Sequence, residues 1–160
     1  MHATVEEVTG VEYIHRAMRQ CGATREYPLA QLYRARHSVL YARQFWLEIQ
    51  DVSERVHTHL VRSRVGVSWW VATQRPDRGG VPGQRDLSAI INAEALITLA
   101  QKRLCHLAWY ETRETVEAIR DGVRKIDPAL ADAMQPRCWW ERGCHELHPC
   151  GMQGVYVGAD

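Results

Sequence analysis

Two hydrophobic periodicities alternate along this chain, and their order constrains the fold more than any other feature. Residues 43–49 alternate, with Phe45, Leu47 and Ile49 on one side, which is typical of a strand that buries one face. Residues 67–73 are rich in β-branched and Trp residues and predict a second strand. Much of the remaining chain shows three- and four-residue spacing, which indicates helices. The sequence therefore predicts an α+β fold, a helix-rich single domain with a small central antiparallel sheet.

Predicted helices cover most of the chain outside these strands. The longest has apolar residues at helical spacing, an N-cap at Asp86 or Ser88 and a break near Gly122. In chain order the predicted helices occupy residues 5–20, residues 29–41, a segment capped by Asp51 or Ser53, residues 87 to beyond 119, and a short segment after Pro128.

A long loop and a change of composition divide the chain further. Residues 74–85 (QRPDRGGVPGQR) hold prolines and glycines and predict a loop, which suits a functional role as well as a simple connection. Beyond Pro136 the composition changes to Trp, Cys, His and Gly. We therefore expect a domain over residues 1–135 and a Cys/His/Trp-rich tail over residues 136–160.

Charge and hydropathy exclude some classes of function. The 160 residues carry a formal net charge of +1, which argues against bulk electrostatic binding of nucleic acid. No run approaches the ~18 apolar residues of a membrane span. The first residues lack a signal-peptide pattern, which predicts a cytoplasmic protein, or one of the host cytoplasm if viral. All basic residues except Lys102 and Lys125 are Arg, the side chain suited to bidentate phosphate binding, although a GC-rich genome produces the same bias.

Two groups of polar residues are candidate ligand sites. Residues 62–75 (RSRVGVSWWVATQR) place arginines at a helix end, and Thr73 and Arg75 share one face if the strand continues through them. On the long predicted helix, Asn92 and Arg103 are eleven residues apart and return to within about 20° of one face. Solvated arginines at element ends, and an ordinary amphipathic helix, account for both patterns without a ligand.

The tail concentrates side chains that bind soft metals. Cys138, Cys144, His145, His148 and Cys150 lie within thirteen residues, and zinc prefers thiolate and imidazole ligands. The spacing contains no C-x-x-C pair and matches no recognised zinc finger. We therefore assign no metal site and interpret the tail as structural packing.

Taken in order, these segments resemble the flavin-dependent thymidylate synthases over most of the chain. That family carries a motif written RHRxxSxNxxSxRY. Residues 60–64 (LVRSR) resemble its LVRHR, and residues 68–75, ending in TQR, resemble its serine-rich run ending in SQRY. Residues 38–53 are similar to the family's S-V-L-E-H…F-T-F-E-I-E-G-V-S. Residues 92–113 are similar to its N-A-R-x-L…R-L-C…A-Q-W-E-I-R, and residues 136–151 are similar to its P-x-C…C-x-E…C-G.

The resemblance implies a reaction and an assembly. Family members are homotetramers whose active sites form where subunits meet. FAD accepts hydride from NADPH and serves the transfer of a methylene group from methylenetetrahydrofolate to dUMP, which yields dTMP. The resemblance thus implies a compact, divergent flavin-dependent thymidylate synthase with FAD as cofactor, NADPH and methylenetetrahydrofolate as co-substrates, and no nucleic-acid or membrane partner.

The resemblance also implies roles for individual residues. Arg103 and Thr73 are the expected catalytic residues, and Arg103 on a pyrimidine carbonyl would stabilise charge that develops on the ring. The expected dUMP ligands are His59, Thr73, Arg75 and Arg103. The expected FAD ligands are Ser38, Arg62, Ser63, Arg64, Asn92 and Glu94.

The chain departs from the family pattern at several positions. Ser63 stands where the family has His, and His59 where it has a Gln that holds the nucleotide. Trp70 falls in the Asn region, and Pro76 replaces the closing Tyr. Glu94 replaces an Arg, so a neighbouring Arg is needed to neutralise it beside an anionic cofactor.

Two other functions are consistent with the sequence. An enzyme of the same fold could modify another pyrimidine deoxynucleotide, such as dCMP, or add a hydroxymethyl group. A non-catalytic, Arg-rich nucleotide- or nucleic-acid-binding protein, with zinc in the tail, is the third hypothesis. Flavin absorption separates the two enzymes from the third hypothesis.

Overall fold

The described residues form α-helices and one antiparallel sheet, which confirms the predicted α+β class. The computed structural model describes residues 1–83 and 85–152. Two short 3-10 turns, Ser38–Ala42 and Pro76–Arg78, accompany the regular elements. In chain order the strands and α-helices of the described residues are β1 (His2–Glu7), α1 (Val11–Gln20), α2 (Leu29–Ala35), β2 (Gln44–Gln50), α3 (Glu54–Val61), β3 (Val67–Val71), β4 (Leu87–Asn92), α4 (Ala93–Arg103), α5 (Tyr110–Ile126), α6 (Pro128–Ala133) and α7 (Arg137–Trp140).

The sheet has the strand order β1-β2-β4-β3, and every pair is antiparallel. Phe45, Leu47 and Ile49 of β2 are fully buried, as their alternation predicts. Their partners across β4 are Ile91, Ala89 and Leu87, so one face of the sheet is continuous with the core. The strand predicted over residues 43–49 is thus confirmed to within one residue.

Helix α5 lies against β1, and α6 packs on both α2 and α5. Gly122 makes the close approach of α5 and β1 possible, because a Cβ at this position would lie 2.5 Å from Cγ2 of Val5. The glycine sits inside α5, so the predicted helix break at Gly122 is wrong.

A buried polar network joins the sheet to the helices. Arg43 is 1% exposed, and its Nε lies 3.6 Å from Oδ2 of Asp127. The Tyr33 hydroxyl donates to the same oxygen at 2.5 Å. Burial and this hydrogen bond to Asp127 raise the pKa of Tyr33 far above its ordinary value. Because each buried charge is paired, the network fixes β2, α2 and the start of α6 relative to one another.

The first two predicted helices are only partly correct. Val5 lies in the edge strand β1, and α1 begins later, at Val11. The partly exposed β1 lacks the strict alternation that marks a strand in sequence. The second helix ends at Ala35 because Arg36 adopts a left-handed conformation (φ 53°), and a 3-10 turn follows.

The long helix predicted from residue 87 is wrong at its start and in its middle. Leu87, Ala89 and Ile91 are buried and form β4, which pairs with β2 and β3. Asn92 is the N-cap of α4, so neither Asp86 nor Ser88 has that role. Residues 104–109 then interrupt the helix before α5.

The remaining elements follow the sequence more closely. Ser53 caps α3 by accepting a hydrogen bond from the Val56 N–H at 3.4 Å, and a short helix follows Pro128. No helix within residues 1–83 and 85–152 is long and apolar enough to cross a bilayer. Gln84 of the predicted loop and residues 153–160 of the predicted tail lie outside the described residues, and the boundary at residue 136 stays a prediction.

Candidate functional site

Helix α3 carries a basic stripe on one face. Arg55, His59 and Arg62 are four and three residues apart, so their side chains project from the same side of the helix. Together with Glu54 and Thr58 they line an open groove of about 460 Å³. Among the described residues, the walls of this groove come from α3 and its C-cap residue.

Arg103 joins α4 to this stripe. Its Nη2 donates to the backbone oxygen of His59 at 2.8 Å. Nδ1 of His59 lies 2.9 Å from Oγ1 of the buried Thr112 on α5. Three helices therefore meet at His59. Among the described residues, Nε of Arg103 is buried and has no hydrogen-bond partner.

The electrostatics of this cluster favour an anionic ligand. Burial, together with the charges of Arg103, Arg62 and Arg55, lowers the pKa of His59. Burial and the charge of Arg62 likewise lower the pKa of Arg103. Like charges raise the free energy of the cluster, and a bound phosphate or carboxylate would offset that cost.

The loop after α3 carries two more predicted site residues. Arg62 is the C-cap of α3, and Ser63 and Arg64 follow it. The indole Nε1 of Trp69 donates to the backbone oxygen of Ser63 at 2.8 Å, which fixes the loop against β3. The Arg64 side chain is exposed.

Asn92 ties the same loop to α4. Its Oδ1 accepts from the Ala95 N–H at 2.8 Å, and its backbone N–H donates to the oxygen of Gly66 at 2.9 Å. Asn92 is therefore a buried cap at the start of α4, whereas Arg103 is at the end of that helix. Leu96 and Leu99, which lie between Asn92 and Arg103 on the helix, are buried in the core, as the interpretation of this pattern as an ordinary amphipathic helix predicts.

Glu94 is neutralised within the chain. Nε of Arg36 donates to its Oε2 at 2.7 Å, and Nη2 of Arg36 contacts both its Oε1 and the Thr98 hydroxyl. The predicted need for a neighbouring Arg is thus met by Arg36. Ser38 is exposed at the start of the 3-10 turn that packs near α4.

Thr73 and Arg75 lie beyond the other end of β3. The strand stops at Val71, so the predicted shared face of Thr73 and Arg75 is wrong. Val67 pairs with Ile91 and Val71 with Leu87, so the two ends of β3 are about 13 Å apart. Ser63 and Arg64 precede the first end, whereas Thr73 and Arg75 follow the second.

Within the described residues, the side-chain hydrogen bonds of Thr73 and Arg75 stay in their own loop. Oγ1 of Thr73 accepts from the Arg75 N–H at 3.3 Å, and the Arg75 guanidinium binds Asp77 at 2.8 and 3.2 Å. A Cβ on Gly80 would lie 2.3 Å from the Thr73 oxygen, so the loop folds back tightly onto Thr73. This turn ends the strand earlier than predicted.

A second cleft separates the end of α4 from the tail. It has a volume of about 590 Å³, and its walls include Lys102, Arg103, Cys105, Cys138, Cys144 and Cys150. Within residues 1–83 and 85–152 no cysteine forms a disulfide, and no three Cys, His, Asp or Glu side chains are arranged to hold a metal ion.

Comparison with known proteins identifies the fold but not a sequence family. No protein-family model and no curated protein sequence matches this chain. Flavin-dependent thymidylate synthase ThyX from Helicobacter pylori, complexed with FAD and dUMP, matches with a TM-score of 0.69 and 15% identity over 84% of this chain and 100% of that chain. A second structure of Helicobacter pylori ThyX with FAD and dUMP matches with a TM-score of 0.68 and 16% identity, over 84% of this chain and 99% of that chain.

A third solved structure shares the fold. The UMP/dUMP methylase PolB from Streptomyces cacaoi, bound with 5-Br dUMP, has a TM-score of 0.62 and 15% identity over 82% of this chain and 94% of that chain. The chain therefore has the α+β fold of the ThyX structures.

The structure brings together some predicted residues and adds others. His59, Arg62 and Arg103 form one cluster. Arg55 also belongs to this cluster, although it is not among the site residues predicted from the sequence. Its spacing of four residues from His59 on a predicted helix could have indicated that the two side chains are neighbours. The pairing of Arg36 with Glu94 could not be predicted from a local sequence pattern, because 58 residues separate the two.

Proposed function

We propose that this protein is a flavin-dependent thymidylate synthase that methylates dUMP, with FAD as cofactor and NADPH and methylenetetrahydrofolate as co-substrates. One observation carries the proposal: a cluster of His59, Arg62 and Arg103, in which burial and the arginine charges lower the pKa of both His59 and Arg103, on the fold of ThyX. The ThyX structures hold FAD and dUMP, and the PolB structure holds 5-Br dUMP.

The residues of the cluster fit a phosphate-bearing nucleotide. The mutual repulsion of Arg103 and Arg62 is relieved by a bound anion. The pairing of Glu94 with Arg36 removes the negative charge that would oppose an anionic cofactor. In this proposal the FAD ligands are Ser38, Arg62, Ser63, Arg64, Asn92 and Glu94.

The proposed mechanism assigns electrostatic tasks to the chain's own residues. FAD, when bound, supplies the redox chemistry. The backbone of α3 holds Arg103 through the His59 oxygen, so its guanidinium is fixed before the substrate arrives. A fixed guanidinium beside a pyrimidine oxygen stabilises negative charge that develops on the ring. His59 is held by Thr112 and stays neutral at pH 7, where it can hydrogen-bond to the nucleotide.

A complete site requires more than one chain in this proposal. The groove on α3 has one wall, and Thr73 and Arg75 lie beyond the far end of β3. We propose a homotetramer in which Thr73 and Arg75 of a second subunit complete the site beside Arg103. The cytoplasmic location and the absence of a nucleic-acid or membrane partner belong to the same proposal.

A flavin and product assay tests the function. Purified protein is expected to be yellow and to convert dUMP to dTMP, identified by mass, when NADPH and methylenetetrahydrofolate are present. Parallel incubations with dCMP and UMP test whether the substrate is another pyrimidine nucleotide. UMP is included because PolB, which has a similar fold, is a UMP/dUMP methylase. Colourless protein that shows no conversion of any of the three nucleotides would reject the proposal.

The Arg103→Ala variant assigns the nucleotide site. It is expected to lose dUMP binding by calorimetry and to keep part of its flavin, because Arg103 faces the nucleotide in this proposal. Arg16→Ala is the matched control, since Arg16 lies over Tyr13 on the exposed side of α1. Equal dUMP affinity of Arg103→Ala and the wild-type protein would remove Arg103 from the site.

A further inference from the structure

The cleft between α4 and the tail is shaped by a turn after α7. The Gly143 N–H donates to the Cys138 oxygen at 3.0 Å, and Arg142 adopts a left-handed conformation with φ 52°. Helix α7 packs against α4, so this turn places the following residues opposite the end of α4. Cys144 and Cys150 consequently line the same cleft as Arg103.

The cleft carries both signs of charge, and Lys102, Arg103 and Arg137 outnumber Glu141 and Glu146 among the residues that line it. Glu141 is already engaged, because it binds Nε of Arg137 at 2.7 Å and lies 3.4 Å from Nε2 of His145. Lys102 and Arg103 line the opposite wall, and Nε of Arg103 has no partner among the described residues. The cleft volume of about 590 Å³ falls in the range of small-molecule sites.

The thiols of the cleft lie close to one another. Burial and the neighbouring thiols of Cys105 and Cys144 raise the pKa of Cys138. Cys105 is two residues from Arg103 and is partly exposed to the cleft. A ligand that contacts Arg103 from this side must therefore cover Cys105.

We infer that the tail forms one wall of the nucleotide site, so that a pyrimidine nucleotide held by Arg103 lies in this cleft, against Lys102 and the thiols. This inference rests on the proposed function. It assigns the side from which the nucleotide reaches Arg103, and it gives the tail a role in ligand binding.

Alkylation of Cys105 by N-ethylmaleimide tests the inference. At a dUMP concentration ten times the Kd, measured by calorimetry on the same holoenzyme, the rate of Cys105 modification is expected to fall about tenfold. Peptide mass spectrometry reads each thiol separately. Cys21, exposed at the end of α1 and outside this cleft, is the internal control and is expected to react at an unchanged rate.

The two lysines of the chain provide a matched pair of variants. Lys102→Glu is expected to weaken dUMP binding severalfold, because it reverses a charge on the cleft wall. Lys125→Glu, on the exposed side of α5, is expected to leave dUMP affinity unchanged.

The outcomes separate this inference from the proposed function. If dUMP binds and Cys105 reacts at the same rate, or Lys102→Glu binds dUMP normally, the inference is overturned and the proposed function stands. If dUMP does not bind at all, both fail. Stoichiometric zinc with unreactive thiols would also overturn the inference, because the tail would then be a metal site.

Discussion

At the scale of single residues, the contacts of Arg103 show what a guanidinium does at the end of α4. One Nη donates to the His59 oxygen, and Nε has no partner among the described residues. A guanidinium has five N–H donors in a fixed plane, so it can hold the α3 backbone and a ligand at once. The ammonium of a Lys lacks this fixed, planar geometry.

His59 makes the cluster sensitive to pH. Its folded-state pKa is lowered by burial and by Arg103, Arg62 and Arg55, so the unfolded chain takes up a proton more readily below pH 6.5. Neutral His59 thus contributes stability above about pH 6.5. That contribution is lost as the pH falls through the lowered folded-state value.

We therefore expect the free energy of unfolding to fall less between pH 7 and pH 5 in His59→Gln than in the wild-type protein. Urea unfolding at several pH values measures this difference. His57→Gln, two residues before His59 and so about 200° around the helix from it, is the control for general effects of removing a His from α3. Identical pH profiles for His59→Gln and the wild-type protein would contradict the assigned electrostatics.

At the scale of elements, the joint between β4 and α4 organises the loop that carries Ser63 and Arg64. Asn92 caps α4 through its side chain and binds Gly66 through its backbone. Gly66 has φ 73°, and a Cβ there would lie 2.5 Å from Nδ2 of Asn92. The cap and the glycine turn therefore form one packed unit.

Removal of the cap should destabilise this unit. Asn92→Ala is expected to lower the free energy of unfolding by about 1–2 kcal/mol, because the Ala95 N–H loses its acceptor. Asn92→Ser retains a capping hydroxyl and should lose less. Thermal or urea unfolding measures both variants, and equal stability of Asn92→Ala and the wild-type protein would show that the cap contributes little.

The elements also show where sequence patterns suffice. The β2 strand and the helix capped by Ser53 were predictable, because strict alternation and an N-cap are local signals. Leu87 and Ile91 are four residues apart, a spacing that suits a helix as well as a strand. The pairing with β2 and β3 makes this segment a strand and not a helix. That pairing involves residues distant in sequence, so the local pattern does not reveal it.

The candidate site shows the same division. Arg103, His59 and Arg62 were identified through the family resemblance, and the structure places them together. The contact of Arg36 with Glu94 depends on tertiary packing between residues 58 positions apart, so no local sequence pattern predicts it. The positions of Thr73 and Arg75 depend on where β3 stops, and element ends are the least predictable feature of a sequence.

At the scale of the whole molecule, strand β3 separates two groups of proposed site residues. The loop of Ser63 and Arg64 enters β3 at one end, and Thr73 and Arg75 leave it at the other. In the part of the chain that the structure describes, the groove on α3 is lined by residues of that helix and its C-cap. In the proposed homotetramer, each chain would hold parts of two sites, and symmetric assembly would combine them.

Complementation between two inactive variants tests whether one active site draws residues from two chains. Arg103→Ala and Arg75→Ala are co-expressed with different tags, hybrid assemblies are isolated, and dUMP methylation is measured beside each parent variant. Each parent is expected to be inactive, and the hybrids should regain about one working site in four, because a site then draws Arg103 and Arg75 from different chains. Folded hybrids that hold FAD and both variants yet show no activity above the parents would contradict the account.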